Sequence, residues 1–193
     1  MSARDFTSDS HAGARQLPTR RACLFVPGCA PDELATAAGR GADEVVIDLE
    51  DAVVPDAKDA TRAAVVAALA ELDWAGTTVS VRVNGRATPW CRADLEAIGR
   101  AGGPLRSIVL PKAESGDDVA FAAALLDGAE AGGASREPLG VQAMVETAAG
   151  VAHALEIAAA SPRLEALIVG YADLAISLGR TAAGAADPQS WDG

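Results

Sequence analysis

Seven side chains able to do acid–base or anion chemistry stand where short apolar runs end. Asp48, Glu50 and Asp51 follow Val45-Val46-Ile47, Arg82 sits in Val81-Arg82-Val83-Asn84, and Lys112 follows Val109-Leu110-Pro111. Glu146 follows Met144-Val145, and Asp173 lies just past Leu167-Ile168-Val169. Glu146 and Asp173 come from neighbouring run ends and offer only oxygen donors. That suits a single Mg²⁺ or Mn²⁺ with positions left for water and substrate oxygens. Taken singly, Glu146 is also an acid favoured by the start of its helix, and Asp173 is also an N-cap. Arg82 lies in the inward register of a buried run, where a charge is costly unless paired. Its fork suits a substrate carboxylate, or an ion pair with Asp48 or Glu50. Asp48 and Glu50 point one way and Asp51 the other. Three acids this close raise one another's pKa, which serves proton transfer or the holding of metal-bound water; the plainer alternative is a solvated turn before Pro55. Lys112 could form a Schiff base, bind an anionic substrate tail or pair with Glu114. The chain's other lysine, Lys58, reads as an exposed helix start.

The elements that must carry these residues alternate. The runs at Cys23–Val26, Glu44–Ile47, Val79–Val83, Ser107–Leu110, Val141–Val145 and Leu167–Val169 are almost continuously apolar, as parallel strands covered on both faces are. Between them lie Ala-rich stretches with helix signals. Pro31 with Asp32 and Glu33 opens the first, which Gly39 or Gly41 ends. Val65, Val66, Leu69 and Leu72 mark a stripe over 56–72, and Thr88-Pro89 reads as the start of a third helix. Ser115 with Asp118 forms a capping pair for the fourth. Thr147 caps a fifth helix carrying Val151, Ala154, Leu155 and Ala158 before Pro162.

Six βα units in a row predict a TIM-type barrel or a doubly wound sheet, and no glycine-rich phosphate turn follows the first strand. The expectation is an α/β fold, a TIM-type (β/α)8 barrel truncated after about six units, since a full barrel takes about 250 residues. Residues 1–19 are expected to be a disordered tail, and 20–193 the incomplete barrel domain. Arg and Ser in that tail resemble a transit peptide, but Asp5 and Asp9 argue against one.

Composition narrows the function classes. Of 193 residues, half are hydrophobic, and the formal net charge of −11 argues against a nucleic-acid partner held through phosphates. No run of about 18 apolar residues exists to span a membrane. Cys23, Cys29 and Cys91 form no C-x-x-C pair, which points to a reducing, cytoplasmic setting.

Six segments occur in a telling order: Arg21-Ala-Cys-Leu-Phe-Val-Pro-Gly28, Val46-Ile-Asp-Leu-Glu-Asp-Ala-Val53, Val81-Arg-Val-Asn84, Leu110-Pro-Lys112, Glu146-Thr147 and Gly170-Tyr-Ala-Asp-Leu174. The series resembles the citrate lyase beta-subunit branch of the HpcH/HpaI aldolase superfamily over roughly residues 20–180. The resemblance implies a TIM-type barrel, Mg²⁺, and reversible carbon–carbon cleavage of a hydroxyacyl-CoA such as citryl-, malyl- or citramalyl-CoA to acyl-CoA plus a 2-oxo acid. By motif it makes Glu146 and Asp173 the metal ligands and Arg82 the clamp on the substrate carboxylate. Asp48, Glu50 and Asp51 become the acidic signature, with Asp51 in place of histidine favouring the CoA-lyase branch. Phe25, Pro27 and Gly28, with Lys112, line the substrate side. It further implies a homo-oligomer, a trimer in relatives, and a C-terminal lid that Thr181–Gly193 does not match. The rival readings are a metal-dependent aldolase on small 2-oxo acids, a Schiff-base enzyme at Lys112, and a non-catalytic remnant or interaction subunit.

Overall fold

In the computed structural model, which describes residues 17–74, 76–131 and 137–180, each apolar run is a strand and each is followed by at least one helix. The order is β1 (Cys23–Pro27), α1 (Pro31–Ala37), β2 (Glu44–Asp48), α2 (Lys58–Glu71), β3 (Thr78–Arg82), α3 (Cys91–Ala101), β4 (Leu105–Leu110), α4 (Gly116–Glu130), β5 (Gly140–Val145), α5 (Ala148–Ala152), α6 (Ala154–Ala159), β6 (Leu164–Val169) and α7 (Tyr171–Ser177). All neighbouring strands pair in parallel in the sequential order β1-β2-β3-β4-β5-β6. A doubly wound sheet must reverse its order at a switch point. This one does not, so the architecture is six units of a TIM-type barrel, an α/β fold. Among the described residues no helix is long and apolar enough to cross a membrane. Residues 1–16 and 181–193 of the expected tail and domain end lie outside the described residues.

The strands read as continuous apolar runs because both faces are covered. Val45, Ile47, Val79, Val81, Ile108, Leu110, Val141 and Ala143 face the helices, packing with Leu34, Val65, Leu69, Leu95, Ile98, Val119 and Leu126. The alternate residues face the inside of the curl in three layers. The middle layer is apolar, with Val46, Val109 and Met144 packed beside Ile168. Below it, at the strand starts, lies a polar floor. Gln142 Nε2 donates to Glu44 Oε1 at 2.7 Å and to Ser107 Oγ at 3.0 Å, and the Ser80 hydroxyl donates to Glu44.

Two bulges feed this floor. The pairing register slips once between β3 and β4, at Arg106, and once between β5 and β6, at Glu165. An extra residue in a strand turns one side chain across the sheet. Arg106 Nε thereby lies 3.0 Å from Glu165 Oε1. Arg20, just ahead of β1, then donates to Glu44 on β2 at 3.0 Å and to Glu165 on β6 at 2.6 Å. One guanidinium thus bridges both ends of the sheet and holds its curl.

The structure corrects two helix expectations. Thr88 does not cap α3; its N–H and hydroxyl both donate to the Gly85 carbonyl, closing a turn, and α3 starts at Cys91. The fifth helix is two, broken at His153, whose ring nitrogen pairs with the Glu114 carbonyl at 2.8 Å. In the second half Ile157 is buried while the expected stripe residue Leu155 is exposed, and Val151, ahead of the break, is exposed as well. The capping pair of Ser115 and Asp118 and the Thr147 cap are both present.

Candidate active site

The third inner layer, above Val46, Val109 and Met144, is charged. Asp48 and Arg82 end β2 and β3 as register partners, so both side chains rise on the same side of the sheet. Arg82 Nε and Nη2 donate to Asp48 Oδ1 and Oδ2, each at 2.7 Å, a two-pronged clasp. The same carboxylate accepts from the N–H groups of Glu50 at 2.8 Å and Ala52 at 3.1 Å, so Asp48 also shapes the turn that follows. Burial opposes its charge, but Arg82 and the two amides prevail and hold its pKa below the ordinary range. The expectation that the three acids raise one another's pKa therefore fails at Asp48. The third prong, Arg82 Nη1, lies 3.3 Å from Glu50 Oε2 and 3.7 Å from Asp51 Oδ2. The Phe25 ring stacks 5.5 Å from the guanidinium carbon. The ion-pair reading of Arg82 is present: it is clasped to Asp48, and its remaining prong turns toward Glu50 and Asp51.

Glu50 and Asp51 part ways as the alternation requires, Glu50 buried and Asp51 exposed. Burial pushes the Glu50 carboxyl up in pKa, against the pull of Lys112 and Arg82. Lys112 ties the cluster together. Its ammonium donates to Glu50 Oε1 at 2.7 Å and lies 3.2 Å from Asp173 Oδ2, while its main-chain N–H donates to Glu146 Oε1 at 2.8 Å. Among the described residues Lys112 is the one non-glycine with positive φ, 51°, a left-handed backbone that costs about 1–2 kcal/mol. That conformation points the N–H at Glu146 while the side chain spans to Glu50 and Asp173. Glu50 and Asp173 keep Lys112 protonated despite its partial burial, raising its pKa. A charged ammonium is no nucleophile, so the geometry disfavours a Schiff base. Nor does Lys112 pair with Glu114.

Glu146 is buried, and burial raises its pKa, with Glu50 and Asp173 adding to the rise. Room for its carboxylate exists because residue 170 is glycine: a Cβ there would stand within van der Waals exclusion of Glu146 Oε2 and Cβ. Asp173 sits in the first turn of α7 behind the N-cap Gly170, so it is not the cap itself. Gly28 turns the other way. Its N–H donates to the Asp48 carbonyl at 2.8 Å, and a Cβ on it would strike Val65, so it fixes β1 against β2 and α2. Pro27 is half-buried at the end of β1, beside Asp48 in the register.

The donor set fits a hard divalent cation. It is made of oxygens, carboxylates outnumber cations, and burial raises the pKa of both Glu50 and Glu146. Among the described residues no three His, Cys, Asp or Glu side chains form a ready-made metal nest. Magnesium needs less than that, since one or two carboxylates with retained waters hold it. Glu146 and Asp173, the pair expected from the sequence, both contact Lys112, and Glu146 Oε2 accepts no hydrogen bond among the described residues.

A cavity of about 750 Å³ opens beside the cluster, reached by Glu50, Lys58, Asn84, Trp90 and Lys112. Lys58 is a correction: it is buried, with its ammonium on the carbonyls of Leu49 at 2.7 Å and Glu50 at 2.6 Å. Asn84 donates to the same Leu49 carbonyl at 3.1 Å. From the sequence Asn84 is only one of the polar residues at a strand end, with no role, and Lys58 has no place in the site. The one signal for Lys58 was rarity, two lysines in the chain against fourteen arginines.

Known proteins resemble this chain throughout the described barrel. It is 41% identical over 165 residues to an L-malyl-CoA/beta-methylmalyl-CoA lyase of Cereibacter sphaeroides, covering 85% of this chain and 52% of the relative. It is 39% identical over 166 residues to a (3S)-malyl-CoA thioesterase of the same species, covering 86% and 54%. The chain spans about half the length of the curated relatives it matches. A citrate lyase beta subunit from Mycobacterium tuberculosis complexed with oxaloacetate and magnesium superposes with a TM-score of 0.66 at 36% identity, covering 84% of this chain and 65% of that one. A structure of protein CitE from M. tuberculosis with magnesium, acetoacetate and coenzyme A gives 0.66 at 36% identity, covering 85% and 54%. The family model for HpcH/HpaI aldolase/citrate lyase matches residues 21–187, and the chain belongs to that family.

Proposed function

We propose that this chain carries the reaction centre of a magnesium-dependent carbon–carbon lyase that cleaves a hydroxyacyl-CoA, such as citryl-, malyl- or citramalyl-CoA, to acyl-CoA and a 2-oxo acid. The observation that carries the reading is the Lys112 hub, which gathers Glu50, Glu146 and Asp173 on the rim where Arg82 stands. Mg²⁺ held by Glu146 and Asp173, with Mn²⁺ as the alternative, supplies Lewis-acid polarisation of substrate oxygens when bound. Arg82 is fixed by Asp48 and Phe25, and its Nη1 prong receives the substrate carboxylate. Glu50, with its pKa raised by burial, takes the proton of the substrate hydroxyl as the carbon–carbon bond breaks. The bond's electron pair passes to the thioester carbon chain as an enolate, whose carbon then takes that proton back from the Glu50 carboxyl. Lys112 and Asp51 flank that carboxyl and set its charge, and Pro27 and Gly28 brace β1 behind it. The fitting partners are acyl-CoA and small oxo or hydroxy acids, with self-association and a cytoplasmic setting.

Calorimetric titration of the chain with oxaloacetate, with and without Mg²⁺, tests this. Binding is expected only with the metal, and Glu146→Gln should weaken it by at least about 10-fold, as loss of an anchoring ligand does. Metal-independent binding, or an unchanged Glu146→Gln, overturns the assignment. Thioester hydrolysis is the second reading, favoured by the likeness to the (3S)-malyl-CoA thioesterase. Product analysis separates them: free CoA marks hydrolysis, acyl-CoA plus 2-oxo acid marks cleavage.

A further inference from the structure

Both lysines of the chain grip one residue. Lys112 holds the Glu50 carboxylate, and Lys58 holds the Glu50 main-chain carbonyl at 2.6 Å and that of Leu49 at 2.7 Å. Lys58 enters from α2 beneath the turn and is only 6% exposed. The Trp90 ring lies 5.5 Å from its ammonium. A second support reaches the Leu49 carbonyl from the side: Asn84 Nδ2 donates to it, and to Asp94 at 2.6 Å. Asp94 is wholly buried and is itself anchored by Arg62 Nε at 2.6 Å.

An ammonium taken out of water is expensive, and burial lowers the Lys58 pKa against the pull of Asp48, Asp94, Glu50 and Asp51. An apolar side chain of the same length would fill the space without that cost. What lysine adds is directed donors, and here they fall on the two carbonyls that fix the peptide planes on either side of the Glu50 Cα. Pinning both planes fixes the direction of the Glu50 side chain.

We propose that Lys58 is a positioning residue for the reaction centre, its buried ammonium locking the Leu49 and Glu50 carbonyls so that the Glu50 carboxylate stays between Arg82 and Lys112. The role rests on the reading of Glu50 as the proton-handling group. It adds a support that neither the rim chemistry nor the metal pair supplies.

The test compares the full chain with Lys58→Met and Lys58→Arg by amide hydrogen exchange. The Glu50 and Ala52 amides, bonded to Asp48, should lose at least about 10-fold protection in Lys58→Met while amides of β3 and β5 keep theirs. Lys58→Arg, which retains charge and donors, should restore protection. If Lys58→Met does not fold, Lys58→Gln serves the same comparison. In turnover of a hydroxyacyl-CoA, Lys58→Met should lower kcat by about 10–100-fold with KM little changed, the cost of a small misplacement. Unchanged protection at Glu50 and Ala52, or an equal loss across all strands, overturns the proposal. Wild-type turnover with an unaltered kcat in Lys58→Met also overturns it while leaving the lyase reading intact. A wild-type chain that cleaves no acyl-CoA, with the local exchange effect present, overturns the lyase reading and with it the catalytic role of Lys58, leaving a support of the Glu50 turn alone.

Discussion

Asp48 accepts four hydrogen bonds and Arg82 makes two of them, so each is the other's main compensation for burial. Removing one partner of a buried pair costs about 3–5 kcal/mol, because the other charge is stranded. Arg82→Met should therefore lose stability on that scale in urea unfolding at neutral pH. The pH dependence follows from the lowered Asp48 pKa. Its stabilisation is fully present above the unfolded value near 3.8 and disappears as pH falls through the lower folded value. Asp48→Asn should flatten that acid limb. Glu146 has the opposite sign: its folded pKa lies above 4.5, so its ionisation costs stability as pH rises through that interval. Glu146→Gln, which keeps the acceptor for the Lys112 N–H, should raise the metal-free Tm at pH 7 while weakening metal binding. Much of this rim was legible in the sequence, because charged residues that interrupt buried runs have few other places to go. Lys58 was not, because its burial depends on Trp90 and on a turn that only the folded chain brings over it.

At the level of elements, the strands announced themselves through their apolar runs, and the caps of α4 and α5 through Ser115, Asp118 and Thr147. The polar floor escaped notice. Glu44, Ser80, Ser107 and Gln142 look like ordinary alternation on a half-exposed sheet, and only the curl turns them inward to meet one another. The split of the fifth helix escaped too, since the bond between His153 and the Glu114 carbonyl crosses 39 residues. Arg20 is the floor's link between β2 and β6. Arg20→Ala leaves Glu44 to the neutral donors Ser80 and Gln142 and Glu165 to Arg106, and should cost about 1–3 kcal/mol in denaturant unfolding. It should also spread the strand ends and so weaken oxaloacetate and metal binding at the opposite rim, a coupling readable by the same calorimetry.

Across the whole molecule, the charged rim and the polar floor occupy opposite ends of the sheet, with an apolar layer between them. Cys91 takes no part in the rim chemistry: it is buried at the start of α3, and burial pushes its thiol up to about 12. Thiol titration of the native chain should modify Cys23 and Cys29, which are exposed, and reach Cys91 only on unfolding. The sequential strand order followed from the repeat of βα units and the lack of a phosphate turn. The exposure of Leu155, Tyr171 and Ile176 did not, because it depends on how α5 to α7 sit on the last strand.

The paired bulges at Arg106 and Glu165 carry a lesson for anyone recombining this scaffold with its relatives. Each contributes one partner of the same ion pair, so β4 and β6 form an inseparable cassette although β5 lies between them. A chimaera that imports one of these strands without the other leaves Glu165 to Arg20 alone or Arg106 to Glu137 alone, and crossover points are best placed outside residues 105–169.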